Sequence, residues 1–206
     1  AGDVYDRAVP PVDAVRLLDR ALLGFARARG LAFHGHTLVW HAALPPWFSS
    51  TVNASNAEQY LVDHITTVVR HYAGSMHSWD VVNEAVDEDG SMRKSPWFNA
   101  IGPDFVAKAF EFAHEADPGA ELYYNDYNLW KPAKRDASIR LVQTLKAKGL
   151  RVDGIGEQAH WGVDDPPLEA IDAELAAFRA SGATPLITEL DMDVLPRDPD
   201  MWGADL

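Results

Sequence analysis

Two glutamates stand at matching places in this 206-residue sequence. Glu84 closes the run WDVVNE at 79–84, and Glu189 closes the run TPLITE at 184–189, each where a short apolar stretch gives way to acidic residues. In α/β proteins the carboxyl ends of the strands form a rim where side chains from different strands converge on one substrate. Two carboxyl groups facing each other across a sugar-sized gap perform glycoside hydrolysis: one protonates the leaving oxygen, and the other attacks the anomeric carbon or activates water. Taken alone, Glu84 reads equally as a solvated loop residue, since surface glutamates are common. The recurrence of the same strand ending at Glu189 turns the reading toward chemistry.

The elements that must position these groups can be read in order. Over 12–29, Val15, Leu18, Leu22 and Phe25 recur at helical spacing and Gly30 follows as a terminator. The run 31–40 reads as a strand with His34, His36, Leu38 and Trp40 on one face. Ser55 and Glu58 form a capping-box pattern ahead of a helix with Leu61, Ile65, Val68 and Tyr72 inward. After the strand at 79–83 and an acidic loop, Pro103 and Asp104 open a helix carrying Phe105, Ala109, Phe112 and Ala116. A strand at 121–125 follows. The next helix starts at Pro132, turns Ile139, Val142 and Leu145 inward and ends in Lys146, Lys148 and Gly149. A strand over 152–158 precedes a helix opened by Pro166 and Pro167, with Leu168, Ile171, Leu175 and Phe178 toward the core, and then the strand that ends at Glu189. After Pro196 the pattern is that of a loop.

Strict alternation of strand and helix implies parallel strands with crossover helices, and chemistry at the strand ends suits a TIM (β/α)8 barrel. Only five strands are found, whereas a closed barrel needs eight and about 250 residues. The expectation is a partial barrel of about five βα units, forming one domain over 1–206.

Composition bounds the function. The chain is 47% hydrophobic, as in an ordinary globular domain, and has no run long enough to span a membrane. The segment AGDVYDRAVPP lacks a secretory pattern, so no signal peptide is expected in it. Absence of cysteine excludes disulfides, thiolate chemistry and cysteine-ligated metals. A formal charge of −13, from 31 acidic and 18 basic residues, argues against a nucleic-acid partner. His34, His36 and His41 have no acidic or further histidine ligand at a typical short spacing, so no metal is expected and the histidines read as a hydrogen-bonding rim.

The stretches GHTLVWH at 35–41, WDVVNEA at 79–85, NDYN at 125–128, GIGEQAHW at 154–161 and ITELDMDVLP at 187–196 resemble, in order and spacing, the strand-end signatures of the family 10 glycoside hydrolases, the endo-β-1,4-xylanases. The resemblance covers 31–196 and matches the family's third to seventh strands. The first two strands and the last, which bring further sugar-binding residues and a tryptophan loop, have no counterpart in the chain. It implies that Glu84 is the general acid/base and Glu189 the nucleophile of a retaining double displacement on xylan or a xylo-oligosaccharide, with no cofactor. Asn83 then meets the sugar 2-hydroxyl, and His160 orients Glu189, with Gln158 two residues earlier. His36 and Trp40 line the subsite where cleavage begins, and Tyr127 with Asn128 borders the leaving-group side. Secretion is a further implication of the family. One departure stands out: where the family often has a polar pair ending in glutamine, Ala42 and Ala43 cannot hydrogen-bond a sugar through their side chains.

Three alternatives stay open at this point. Trp40 and Tyr127 read also as core aromatics, and Asn83 as a strand-end cap. The substrate of the same machinery can be a glucan. The chain can also be a non-catalytic or incomplete piece, its bare strands at Leu31 and Thr184 completed by another chain or segment.

Overall fold

The structure, a computed structural model, describes residues 16–17 and 19–194. Five strands form one parallel sheet: β1 (His34–Gly35), β2 (Ser78–Asn83), β3 (Glu121–Asp126), β4 (Gly154–Glu157) and β6 (Thr184–Ile187), in the order β1-β2-β3-β4-β6. A second, two-stranded parallel sheet pairs β5 (His160–Gly162) with β7 (Asp191–Asp193). These short strands lie just beyond β4 and β6 in the chain, so two neighbouring strands are each extended past a break. Ala159, at the first break, has a left-handed φ of 65°.

The crossovers are helical. α1 (Gly24–Arg29) follows a π-helical turn at Asp19–Leu23; then come α2 (Phe48–Thr51), α3 (Ala57–Tyr72), α4 (Pro96–Ile101), α5 (Phe105–Ala116), α6 (Pro132–Ala147) and α7 (Leu168–Ala180). Leu61, Ile65 and Val69 of α3 and Val106 and Phe110 of α5 share one core with Val81, Leu122 and Ile155 of the sheet. Every residue of β2 is buried, as expected of a strand in a parallel sheet covered on both faces. Among the described residues the sheet is open, with β1 and β6 as its edges. This is a partial (β/α) barrel, as the alternation predicts.

Several local expectations are corrected. The strand over 31–40 is reduced to His34–Gly35; after an interruption the chain rejoins β2 at Leu38, whose N–H donates to the Asp80 carbonyl, and Val39, which bridges Val82. The interruption breaks the period-two alternation, so Leu38 turns into the core while His34 and His36 face Asp80. The capping box at Ser55 does not form, because Ser55 donates to Asn53 Oδ1 at 2.6 Å and Glu58 pairs with Lys108 at 2.6 Å; Asn56 holds the N-cap position. α4 lies in the stretch read as loop. Six residues show no helical period, although Ser95 Oγ caps Phe98 N at 3.1 Å and Pro96 opens the helix.

Inward faces also differ. In α1, Ala26 is buried and Phe25 is 54% exposed; the predicted positions at 12–15 and 18 lie outside the described residues, as does the loop after Pro196. In α5 Phe105 and Ala109 are buried as expected, together with Val106, Phe110 and Ala113, whereas Phe112 and Ala116 are only half-buried. In α7, Leu168 is 76% exposed and Glu174 is fully buried. No helix among the described residues is long and apolar enough to cross a membrane.

Candidate active site

Glu84 leaves β2 in the left-handed region, with φ 57°, which costs a non-glycine residue on the order of 1–3 kcal/mol unless its surroundings impose it. The surroundings do. Its N–H donates to the Asn125 carbonyl at 2.9 Å, and its carbonyl accepts from Arg93 Nε at 2.9 Å. The residue is only 6% exposed, and Oε1 accepts from Asn83 Nδ2 and from Gln158 Nε2, both at 3.1 Å. Glu84 is therefore a fixed, buried carboxyl group and not a solvated loop residue.

Glu189 stands just past β6, its N–H donating to the Gln158 carbonyl at 3.1 Å. Oε1 accepts from Asn125 Nδ2 at 2.8 Å, and Oε2 lies 3.3 Å from His160 Nε2. The other nitrogen of His160, Nδ1, lies 2.9 Å from Asp191 Oδ2. The register of the short sheet, which sets His160 opposite Asp191, produces this contact. The hydrogen bond to Glu189 and then the one to Asp191 outweigh burial and hold the imidazole charged up to about pH 9. Burial alone would raise the Glu189 carboxyl; the His160 hydrogen bond, the charge of His36 and the Asn125 amide together bring it below its ordinary value. Glu189 is an ionised carboxylate between imidazoles, the state a nucleophile needs.

A chain of amides joins the two carboxyl groups. Asn83 Oδ1 accepts from Gln158 Nε2 at 3.1 Å and from Asn125 Nδ2 at 2.9 Å, and Asn125 continues to Glu189. Asn125 Oδ1 in turn accepts from Thr188 Oγ1 at 2.7 Å. Gly156 makes room for this amide on the neighbouring strand: a Cβ there would stand 2.4 Å from Asn125 Oδ1. Four strand ends thus contribute to one hydrogen-bonded cluster, which fixes the carboxyl groups by rigid elements and not by loops.

Of the remaining predicted residues, His36 Nδ1 lies 3.0 Å from Asp80 Oδ2 and 3.6 Å from Glu189 Oε1. Burial lowers its pKa, but the bond to Asp80 and the charges of Asp80, Glu189 and Glu84 prevail and raise it. Trp40 is half-buried, its ring 6.2 Å from that of His36 and edge-on to it. Tyr127 is half-buried. Its hydroxyl accepts from Arg93 Nη2 at 3.1 Å, and Lys134 Nζ lies 3.3 Å from its ring centroid. Asn128, like Glu84, has a left-handed φ, of 56°, and it donates to Glu88. The structure brings Glu84, Asn83, Gln158, His160, Glu189 and His36 together; Trp40 and Tyr127 flank them. Asn125, Asp80 and Arg93 were missed by sequence reasoning. Asn125 and Asp80 carried one available signal, a polar residue inside an otherwise apolar strand. The spacing argument against an acidic partner for the histidines also fails, because Asp80 and Glu189 reach His36 from other strands.

Carboxyl groups on separate strand ends, bridged by amides on the rim of a parallel sheet, define the class of barrel glycosidases. The model of glycosyl hydrolase family 10 matches residues 19–201, and the chain belongs to that family. It is 45% identical over 190 residues to endo-1,4-beta-xylanase A of Xylanibacter ruminicola, covering 90% of this chain and 52% of the relative. An endo-1,4-beta-xylanase of Geobacillus stearothermophilus is 44% identical over 171 residues, covering 80% and 52%. Among solved structures, a GH10 endoxylanase from a sugarcane soil metagenome superposes with a TM-score of 0.83 at 40% identity, covering 91% of this chain and 57% of that one. Xylanase 10B of Thermotoga petrophila RKU-1 in complex with xylobiose gives 0.81 at 36%, covering 92% and 57%. The chain spans about half the length of the relatives it matches.

Proposed function

We propose that this chain carries the catalytic rim of a retaining endo-1,4-β-xylanase. The observation that carries the reading is the pair of carboxyl groups joined through Asn83, Gln158 and Asn125, one buried and one held ionised by His160 and His36. In the first step Glu84 gives its proton to the glycosidic oxygen while Glu189 attacks the anomeric carbon and forms a glycosyl-enzyme. In the second, Glu84 accepts a proton from the water that displaces Glu189, so the configuration is inverted twice and retained. His36 and Trp40 border the sugar that becomes covalently bound, and Tyr127 the leaving sugar. Asn83 reaches the 2-hydroxyl through the amide hydrogen it does not give to Glu84. The xylanase names of the relatives favour xylan over glucan, whose hydroxymethyl group needs extra room.

The test uses a chimera in which residues 19–194 replace the matching segment of the Geobacillus stearothermophilus relative, so that the rest of that relative's length is supplied. Reducing-sugar release from xylan should exceed that from β-glucan, and early products seen by proton NMR should be β-anomers. Glu84→Gln and Glu189→Gln should each lower turnover on unactivated xylan at least about hundredfold with unchanged circular dichroism. Near-parental turnover by Glu84→Gln, or a first-formed α-anomer, overturns the reading.

A further inference from the structure

Next to Glu189 the fold assembles donor atoms of a different chemistry. His36 Nδ1, a carboxylate oxygen of Asp80 and one of Glu189 all lie within 4.8 Å of one another. The pairs closest together are His36 Nδ1 with Asp80 Oδ2, at 3.0 Å, and His36 Nδ1 with Glu189 Oε1, at 3.6 Å. Ligand atoms about 2.0–2.2 Å from a tetrahedral ion stand at comparable separations from one another. His34 Nε2 lies 2.9 Å from the same Asp80 oxygen but out of line for a hydrogen bond, and its ring is held in place by Nδ1 against Ser78 Oγ at 2.8 Å.

Two buried atoms at the edge of this group lack a hydrogen-bond partner: Asp80 Oδ1, the second oxygen of that fully buried carboxylate, and His34 Nε2. Such atoms are costly to leave unsatisfied, and a cation held by Asp80 is one way to satisfy its carboxylate. One imidazole and two carboxylates form an NO2 donor set, which together with a water completes the four-coordinate sphere of Zn²⁺ or its spectroscopic substitute Co²⁺. We infer that His36, Asp80 and Glu189 bind one divalent transition-metal ion that occludes the Glu189 carboxylate. The ion plays no part in hydrolysis and is an inhibitor that competes with the sugar. That competition rests on the glycosidase reading; the binding itself does not.

The untagged 206-residue chain is titrated with Co²⁺, reading the visible d–d bands of a low-coordinate site, and with Zn²⁺ by calorimetry. One saturable equivalent per chain is expected, with affinity at least about tenfold weaker in Asp80→Asn and in Glu189→Gln. Asp80 is deeply buried, so circular dichroism checks that variant; if it does not fold, Glu189→Gln and His36→Gln decide. Absence of a saturable cobalt spectrum, or parental affinity in both Glu189→Gln and His36→Gln, overturns the inference. A chain that binds cobalt while its chimera fails to cleave xylan keeps this site and loses the hydrolase reading. Cleavage without a cobalt spectrum does the reverse.

Discussion

Arg93 holds three separate pieces of the rim. Nε donates to the carbonyl of Glu84, Nη2 donates to the Tyr127 hydroxyl, and Nη1 lies 3.3 Å from Asp87 Oδ1. It is a positioning residue: it keeps the left-handed backbone of Glu84 in place and holds the Tyr127 ring. A lysine has the charge but not the planar fork, so it can satisfy at most part of this geometry. Losing a hydrogen bond from a charged donor costs about 1.5–3 kcal/mol, so in the chimera Arg93→Lys should lower kcat about tenfold to hundredfold while KM changes little. An increase in KM at constant kcat would show that Arg93 only binds substrate. Glu84 and Glu189 were legible in the sequence because each ends an apolar run. His160 and Gln158 were placed by the resemblance of GIGEQAHW, and Asn125 was not picked out because NDYN reads first as a strand end. Its role appears only when β3 is seen lying between β2 and β4.

At the scale of elements, β4 and α7 meet through an acid pair. Glu157 and Glu174 are both fully buried and face each other; Glu157 accepts from the Leu129 and Ala159 N–H groups, at 2.9 and 3.0 Å. Neither oxygen of Glu174 finds a donor on another residue, so a proton held between the two carboxyl groups satisfies both. Burial first and the Glu157 charge second push Glu174 up to about 10, while Arg135 on α6 opposes this and Lys134 acts on Glu157. The folded state thus keeps a proton that the unfolded chain loses near the ordinary carboxylate value. Stability from this pair is complete in acid and falls as pH rises through neutral toward 10. Glu174→Gln supplies the hydrogen without the titration and should raise the melting temperature at pH 9 by several degrees, with little change at pH 4. Equal melting curves for parent and variant at pH 9 would dismiss the shared proton. α2 and α4 are too short to show a 3.6-residue period, whereas the longer helices α3, α5, α6 and α7 were legible from theirs. Which face turned inward was not, because in α7 a glutamate replaces an apolar residue at a core position. The strand at 31–40 read as continuous because alternation does not register a backbone interruption.

For the molecule as a whole, the open sheet is the dominant fact. β1 and β6 have unpaired edges among the described residues, and exposed apolar side chains lie near them: Phe25 and Leu31 on one side, Ile187, Leu190, Met192 and Val194 on the other. Such edges recruit strands. The purified chain should associate as its concentration rises, seen by sedimentation, and should turn over xylan far more slowly than the chimera. A monomer at every concentration with ordinary turnover would show that the open sheet is self-sufficient. The strand count and the alternation made this architecture legible from the sequence. The small sheet of β5 and β7 was not, since three-residue strands carry too little pattern.

The all-parallel order also has a consequence in time. Each strand pairs with one far along the chain, His34 with Ser78, Ser78 with Glu121, Tyr123 with Gly154 and Gly154 with Thr184. No hairpin can start the sheet, so every pairing must await closure of a long crossover before it is rewarded, which makes such topologies slow to fold. Glu84 and Glu189 belong to strands separated by two others, and the amides that link them come from β2, β3 and the end of β4. The rim cannot form piecemeal: it needs four strand ends in register, so a chain that has gained its helices but not these pairings has no site.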